Sequence, residues 1–229
     1  MTQPLDKPTT RHLIASRVAL ELKDGDVVNL GIGLPSLVAN EISNDIEVWF
    51  QSENGLLGIE ALADGDDINP NLVNAGGQPI TAVSGASSFN SADSFTIIRG
   101  GHVDVSVLGA LQVDKQGNLA NWIIPGKMVP GMGGAMDLVV GAKKVIVAME
   151  HTVKGKAKLL DHCTLPLTAT NQVNLIITEM GVIEIGPQGM QLIELSPYFS
   201  IDDVIAATDA PLSISSTLKT MPLPVDMQR

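Results

Sequence analysis

The sequence predicts an α/β fold, with helices covering both faces of a mainly parallel sheet. Short apolar runs rich in valine and isoleucine recur along the chain, as in strands that are buried on both faces. Helical or glycine-rich segments separate these runs. A chain of 229 residues can bury a substantial core. We therefore expect one domain over residues 1–229, with extended tails at 1–9 and 219–229.

The elements can be assigned in order from the N-terminus. Thr10 is a residue type that caps helices, and the helix after it carries Ile14, Val18 and Leu22 on one face. Asp24-Gly25 is expected to end this helix. Five apolar runs then predict interior strands, at 27–30, 48–50, 72–74, 103–108 and 144–148.

The pattern changes near residue 175. Runs at 175–178, 182–185 and 192–195 are separated by glycine-containing turns, which predicts a small antiparallel C-terminal addition to the sheet. Residues 202–207 predict a short helix. Residues 219–229 show no periodicity, which is the reason for expecting an extended tail there.

Composition narrows the class of protein. No apolar run approaches the roughly 18 residues of a membrane span, and residues 1–11 lack the apolar core of a secretory signal, so we expect a cytoplasmic protein. The net charge of −11 argues against nucleic acid as a partner. The one cysteine, Cys163, cannot form an internal disulfide and is expected to be a buried thiol without a catalytic role.

The most informative segment is 50–58, with the sequence FQSENGLLG. An apolar run ends here in Ser, Asn and Gly, which predicts a tight turn that presents Glu53. Ligands bind at the carboxyl ends of strands in open parallel sheets, so a carboxylate there can reach a substrate. We interpret Glu53 as a covalent nucleophile. The alternative is a turn residue only, with Asn54 and Gly55 chosen because they tolerate positive φ.

Two glycine-rich segments resemble nucleotide-binding motifs, but neither has the full motif. Asn29, Gly31 and Gly33 follow a strand, and Pro35 is expected in the first turn of a helix, but Ser36 replaces the third glycine of the dinucleotide fingerprint. Residues 130–134 lack the Gly-Lys-Ser/Thr ending of a P-loop. Nicotinamide cofactors and nucleoside triphosphate hydrolysis are therefore not expected. Nor is a metal site, because the four histidines have no ligand spacing.

Taken together, several motifs resemble the beta subunits of family I CoA-transferases, the group that includes the 3-oxoacid CoA-transferases. Besides 50–58, the similarity covers about residues 12 to 195. The remaining matching segments are 27–35 (VVNLGIGLP), 73–77 (VNAGG), 98–104 (IRGGHVD), 118–122 (NLANW), 125–139 (PGKMVPGMGGAMDLV) and 149–151 (MEH). The resemblance implies the CoA-transferase (NagB/RpiA-like) fold.

The resemblance also implies a set of site residues. Glu53 is the nucleophile and Gly134 supplies a backbone donor to the oxyanion, although a turn glycine is the alternative for Gly134. Asn54 and nearby amides are expected to hydrogen-bond the ionised Glu53. Trp122, Met128, Met132 and Met136 are expected to pack the loop or the pantetheine arm, with core packing as the default interpretation. The implied substrate- or CoA-binding residues are Asn29, Gly31, Gly33, Asn54, Gly55, Lys127, Gly133, Ala135 and Met136.

The chemistry implied is a ping-pong transfer. Glu53 would attack an acyl-CoA to give a mixed anhydride, and the CoA thiolate would then give a glutamyl-CoA thioester. No bound cofactor is needed, with CoA and acyl-CoA as substrates. Gly77 stands where many relatives carry lysine after Asn-Ala-Gly, which favours short acids: acetoacetate exchanging with acetate, butyrate or succinate.

An acidic chain must gather cations or backbone donors to hold the CoA phosphates. The candidates are Lys127, Lys143, Lys144 and the lysines of 154–158, although a solvated loop is the alternative for the last group. The resemblance implies an alpha subunit as partner, in an α2β2 assembly. Competing functions are an acyl-CoA hydrolase, a sugar-phosphate isomerase and a non-catalytic ligand sensor on the same fold.

Overall fold

A ten-stranded sheet forms the centre of the structure, a computed structural model that describes residues 5–127 and 131–227. The helices are α1 (Lys7–Ala19), α2 (Ser91–Arg99), α3 (Ala135–Gly141) and α4 (Ile201–Ala206), with 3-10 helices η1 (Pro35–Glu41), η2 (Gly65–Asp67) and η3 (Val225–Met227). The strands are β1 (Val27–Leu30), β2 (Trp49–Ser52), β3 (Leu56–Leu62), β4 (Ile80–Ser88), β5 (Val105–Leu108), β6 (Gln112–Asp114), β7 (Leu119–Ala120), β8 (Lys144–Ala148), β9 (Thr152–Val153), β10 (Lys156–Ala157), β11 (Leu159–Leu160), β12 (Leu175–Ile177), β13 (Gly181–Gly186), β14 (Gly189–Leu195) and β15 (Leu212–Thr220).

The strand order is β15-β14-β13-β12-β8-β5-β1-β2-β3-β4. The five central strands, β12 to β2 in this order, are parallel to one another. Antiparallel strands flank them, with β13 and β14 on one side and β3 and β4 on the other. The predicted fold class is confirmed. The carboxyl ends of the parallel strands all meet at one edge of the sheet.

Alternation along the central strands creates a core on each face of the sheet. In β8, Ile146 and Ala148 belong to the cluster that contains the buried face of α1, whereas Val145 and Val147 belong to the cluster on the other face. A third, small cluster joins α2 and α3 through Ile98. Each fully buried aliphatic side chain of this kind contributes about 1.5–3 kcal/mol. In the described residues, no helix is long and apolar enough to cross a membrane.

The N-terminal helix begins earlier than expected. Its N-cap is Asp6, whose Oδ1 accepts from the Thr9 backbone N at 2.8 Å, and the buried Thr10 lies inside the helix. Thr10 is therefore not the cap that was expected. The expectation of an extended segment at 1–9 is also wrong for residues 7–9, which are helical. The physical reason is that Pro8 fits the first turn of a helix, where its missing N–H costs nothing.

Other differences concern the two borders of the sheet. The strand expected at 72–74 is absent, and a single bridge joins Val73 and Pro79. Instead, β3 and β4 follow β2 as an antiparallel pair. At the C-terminal end, β15 continues to Thr220 and Met221 is buried, so the expected tail is wrong there. The helix expected after the Asn29 segment is present as the 3-10 helix η1, with Pro35 in its first turn.

Candidate active site

A three-residue turn places Glu53 at the carboxyl edge of the parallel strands. β2 ends at Ser52 and β3 begins at Leu56, so Glu53, Asn54 and Gly55 form the connection. Gly55 has φ +118°, and a Cβ on it would overlap the carbonyl oxygen of Phe89. The backbone N of Phe89 donates to Gly55 O at 2.9 Å. Only glycine fits this turn, which fixes where Glu53 lies.

Two other segments approach the half-buried Glu53 side chain. The Asn29 Nδ2 donates to Glu53 Oε2 at 3.4 Å. Gly134, immediately before α3, lies so close that a Cβ on it would be 3.2 Å from Glu53 Cγ and 3.4 Å from Oε1. Since φ at Gly134 is an ordinary −82°, the glycine is needed there for space and not for backbone conformation. The structure thus brings together three of the predicted residues.

The segment 73–78 packs against the Glu53 turn. Asn54 Nδ2 donates to Val73 O at 2.7 Å, and the backbone N of Ala75 donates to Ser52 Oγ at 3.0 Å. Within the segment, Asn74 Oδ1 accepts from the backbone N of Gln78 at 3.0 Å. Asn54 therefore holds this loop. Among the described residues, the side-chain amide that donates to the Glu53 carboxylate is that of Asn29 and not, as expected, that of Asn54.

The glycines after β1 shape the neighbouring loop. The Gly31 backbone N donates to Val107 O at 2.8 Å, and a Cβ on Gly31 would lie 3.1 Å from the same oxygen. Gly33 has φ +92° in open space. Between them, Ile32 is 73% exposed, and its Cδ1 lies 3.3 Å from the position of a Cβ on Gly76. An apolar side chain thus stands exposed beside the loop that packs on Glu53.

The remaining predicted residues are near the start of α3 or at the border of the described chain. Gly133 has φ +54°, Ala135 begins α3, and Met136 is 48% exposed. Lys127 is exposed in a turn, with its backbone N donating to Ile124 O at 3.0 Å. Met128 lies outside the described residues. No described contact links Lys127 to Glu53.

Comparison with known proteins decides the family. The sequence pattern of the family described as Coenzyme A transferase matches residues 11–207. The beta subunit of the acetate CoA-transferase of Haemophilus influenzae is 52% identical over 212 residues, which are 92% of this chain and 95% of that protein. This chain belongs to the coenzyme A transferase family.

Two further proteins are similar to this CoA-transferase chain, one in sequence and one in fold. The B subunit of the succinyl-CoA:3-ketoacid coenzyme A transferase of Helicobacter pylori is 53% identical over 205 residues, covering 89% of this chain and 99% of that protein. The crystal structure of an acyl-CoA transferase from Escherichia coli O157:H7 has a TM-score of 0.74 at 24% identity. This chain is covered to 97% and spans 45% of that longer chain, so that likeness concerns the fold.

Two lysines considered for CoA binding lie away from the Glu53 edge of this CoA-transferase chain. Lys143 and Lys144 are at the beginning of β8, the opposite edge of the sheet. Lys143 Nζ pairs with Asp104 Oδ1 at 2.7 Å, and Lys144 Nζ pairs with Glu21 Oε2 at 2.6 Å. These two side chains therefore pair with carboxylates at the opposite edge and do not face the site.

A second group of ionisable side chains follows β8 and β12 at the same edge as Glu53. His151 is fully buried between the Oγ1 atoms of Thr178 and Thr208, at 3.0 and 2.9 Å. Burial, helped by the positive charge of Lys158, lowers the pKa of His151 to about 4. Burial also lowers the pKa of Lys158 to about 8. His151 therefore acts as a neutral structural link between loops.

Sequence reasoning missed the residues that support Asn29. Gln51 and Ser94 are buried and hydrogen-bond each other at 2.9 Å, and Gln51 Oε1 accepts from Asn29 Nδ2 at 2.8 Å. One signal was available for Gln51. Gln51 is a polar residue near the end of β2, two positions before Glu53 in the sequence. No comparable signal exists for Ser94, which lies on α2.

Proposed function

We propose that this chain is the beta subunit of a short-chain 3-oxoacid CoA-transferase, in which Glu53 carries CoA as a thioester. The observation that carries this proposal is the position of the Glu53 carboxylate. It stands at the carboxyl edge of the sheet, with the Asn29 amide as a donor and Gly134 in close contact. A carboxylate that is partly buried yet reachable suits a nucleophile.

The first half-reaction moves CoA onto the protein. An oxygen of Glu53 attacks the thioester carbonyl of an acyl-CoA, and the CoA thiolate leaves to give an acyl-glutamyl anhydride. The thiolate then attacks the glutamyl carbonyl, and the acyl group departs as a free carboxylate. The backbone N–H of Gly134 would stabilise the oxyanions of these steps. Loss of one such donor typically raises the activation free energy by about 3–4 kcal/mol.

The second half-reaction runs the same steps in reverse. An incoming carboxylate attacks the glutamyl-CoA carbonyl, the thiolate leaves, and the thiolate then attacks the acyl side of the anhydride. Glu53 is released as a carboxylate and the acceptor acid leaves as its CoA ester. Charge and atoms balance without oxidant, reductant or nucleotide. CoA and acyl-CoA are substrates in this scheme and not bound cofactors.

The acids we propose are short. One relative is named for acetate and another for succinyl-CoA with a 3-ketoacid, which supports acetate and succinate as exchanging acids. Acetoacetate as the 3-ketoacid and butyrate as a further short acid belong to the proposal. The loop that packs on the Glu53 turn carries Gly77 and the uncharged Gln78, both exposed. This loop offers no added cation for a second carboxylate, so we rank acetate and butyrate ahead of succinate.

An alpha subunit completes the proposed enzyme, with two copies of each chain. The relatives are named as beta or B subunits. Exposed apolar side chains near the site support a partner surface there: Ile32 is 73% and Met136 48% exposed. Part of the CoA-binding surface is then the partner's, which fits the few cations that this chain places near Glu53.

The test is a two-substrate kinetic assay of this chain co-expressed with its alpha partner. Acetoacetyl-CoA and acetate should give parallel double-reciprocal lines, and acetyl-CoA should form in equal amount to acetoacetate. Glu53→Gln keeps the size of the side chain and should abolish transfer. Release of free CoA without any acceptor acid would instead indicate a hydrolase, and wild-type turnover in Glu53→Gln would refute the proposal.

A further inference from the structure

A row of buried polar side chains leads from α2 to the Glu53 carboxylate. Ser94 on α2 is 0% exposed, Gln51 on β2 is 3% exposed and Asn29 on β1 is 1% exposed. Gln51 Nε2 donates to Ser94 Oγ at 2.9 Å, and Asn29 Nδ2 donates to Gln51 Oε1 at 2.8 Å. The same Nδ2 also donates to the backbone O of Gln51 at 3.1 Å and to Glu53 Oε2 at 3.4 Å. We call Ser94, Gln51 and Asn29 the amide relay.

The direction of each donor in the amide relay follows from its neighbours. The Ser94 hydroxyl donates to the backbone O of Ser52 at 3.4 Å, so its lone pairs accept from Gln51 Nε2. Gln51 must then turn its Oε1 toward Asn29. A carbonyl oxygen accepts only, so Asn29 presents its Nδ2 to the side-chain and backbone oxygens of Gln51, and the same Nδ2 also reaches Glu53 Oε2. The orientation of the Asn29 amide is thus set by the side-chain and backbone oxygens of Gln51 together, and Ser94 orients the side-chain one.

We propose that Ser94 and Gln51 are positioning residues for Glu53, acting through the orientation of the Asn29 amide. This inference rests on the proposed function. If the Asn29 amide turned over, its carbonyl oxygen would face the Glu53 carboxylate and repel it. With the relay intact, an N–H group faces the carboxylate and holds the attacking oxygen in one place. Buried amides without partners are costly, so the relay is rigid.

A purely structural role predicts a different outcome. The same hydrogen bonds fasten α2 to β2 and β1, and their loss lowers stability in either case. Stability alone therefore does not separate the two roles. A positioning role changes kcat and the rate of thioester formation at nearly constant KM, because Ser94 and Gln51 are both buried and hydrogen-bond protein groups. A structural role changes the melting temperature and leaves the kcat of the folded enzyme as it was.

The experiment uses the complex with the alpha partner and three variants. Ser94→Ala removes the hydroxyl that orients Gln51, and Gln51→Met keeps the length of the side chain without its amide. Ser196→Ala is the matched control, since Ser196 is 0% exposed, its Oγ has no partner in the described residues, and it follows β14, six strands from β2. We expect kcat to fall about tenfold in each relay variant, with the control unchanged.

A double variant adds a second criterion. If Ser94 acts only through Gln51, the Ser94→Ala/Gln51→Met variant loses no more kcat than Gln51→Met alone. Wild-type kcat in Ser94→Ala and Gln51→Met, with normal thioester formation in the parent enzyme, would overturn the relay and leave the proposed function standing. A parent enzyme that forms no thioester with acetoacetyl-CoA would overturn the proposed function itself. Additive losses would overturn the sequential relay.

Discussion

Replacing Gly134 by alanine separates the chemistry at Glu53 from the stability of the fold. The added Cβ would lie 3.2 Å from Glu53 Cγ, 3.3 Å from Phe95 Cζ and 3.4 Å from Glu53 Oε1. Such contacts require the neighbours to move by a few tenths of an ångström. The backbone is not strained, because φ at Gly134 is −82°. The change therefore acts on the position of the carboxylate.

The size of the effect follows from these distances. A misplacement of about 1 Å can cost 100-fold in rate, so a shift of a few tenths should lower kcat about tenfold. Alanine at a compatible φ stabilises by about 0.4–1 kcal/mol through the unfolded chain, and the tight contact offsets this gain. We expect the free energy of unfolding to change by less than about 1 kcal/mol.

The assay is steady-state transfer from acetoacetyl-CoA to acetate by the complex, with urea unfolding in parallel. Gly186→Ala is the matched control, because nothing lies within 4 Å of a Cβ there and its φ is outside the left-handed range. That variant should keep wild-type kcat. Wild-type kcat in Gly134→Ala would refute the reasoning, since it would mean that the Glu53 carboxylate does not need the space beside Gly134.

Three further outcomes follow from the structure. Burial lowers the pKa of His151 to about 4, so the unfolded chain binds one more proton between about pH 6.5 and pH 4, and the free energy of unfolding should fall by about 3 kcal/mol on acidification across that window. Urea unfolding should show a clearly smaller fall for His151→Gln, and an equal fall would contradict the assignment. Burial, followed by the Asp114 carboxylate, raises the pKa of the Cys163 thiol to about 12, so the folded chain should not react with a thiol-specific disulfide reagent at about pH 8 until it is unfolded. Gly55→Ala places a methyl group on the Phe89 carbonyl oxygen at φ +118°, and should lower stability by more than 1–2 kcal/mol, measured by thermal unfolding; an unchanged melting temperature would contradict this.

The central strands were predictable because strands that are buried on both faces appear in the sequence as short continuous apolar runs. The bounds of β1 and β8 agree with the apolar runs at 27–30 and 144–148. The edge strand β15 has no such apolar run, because most of its residues are polar and all are exposed or half-buried. The pair β3 and β4 is interrupted by register shifts, with Gly58 at φ +98°. Irregular antiparallel pairs of this kind break the alternation on which strand prediction depends.

The candidate site was predictable in part. A strand ending in Ser-Glu-Asn-Gly indicated an exposed Glu53, and the structure places Glu53 in that turn. Its proximity to Gly134 could not come from spacing, since 81 positions separate them in the sequence, and it rested on the resemblance to a family. Asn54 was expected to donate to Glu53 but donates to Val73 O, because its partner depends on how the loop at 73–78 packs.

The most direct test of the account is mass spectrometry of the peptide that contains Glu53. The complex with the alpha partner is exposed to acetoacetyl-CoA without acceptor acid, quenched and digested, with Glu53→Gln treated in the same way. The account predicts an adduct on Glu53 with the mass of CoA less one water, replaced by a reduced side chain after borohydride treatment, and neither species in the variant. A complex that transfers CoA to acetate yet never carries this adduct or its reduced product would contradict covalent catalysis by Glu53.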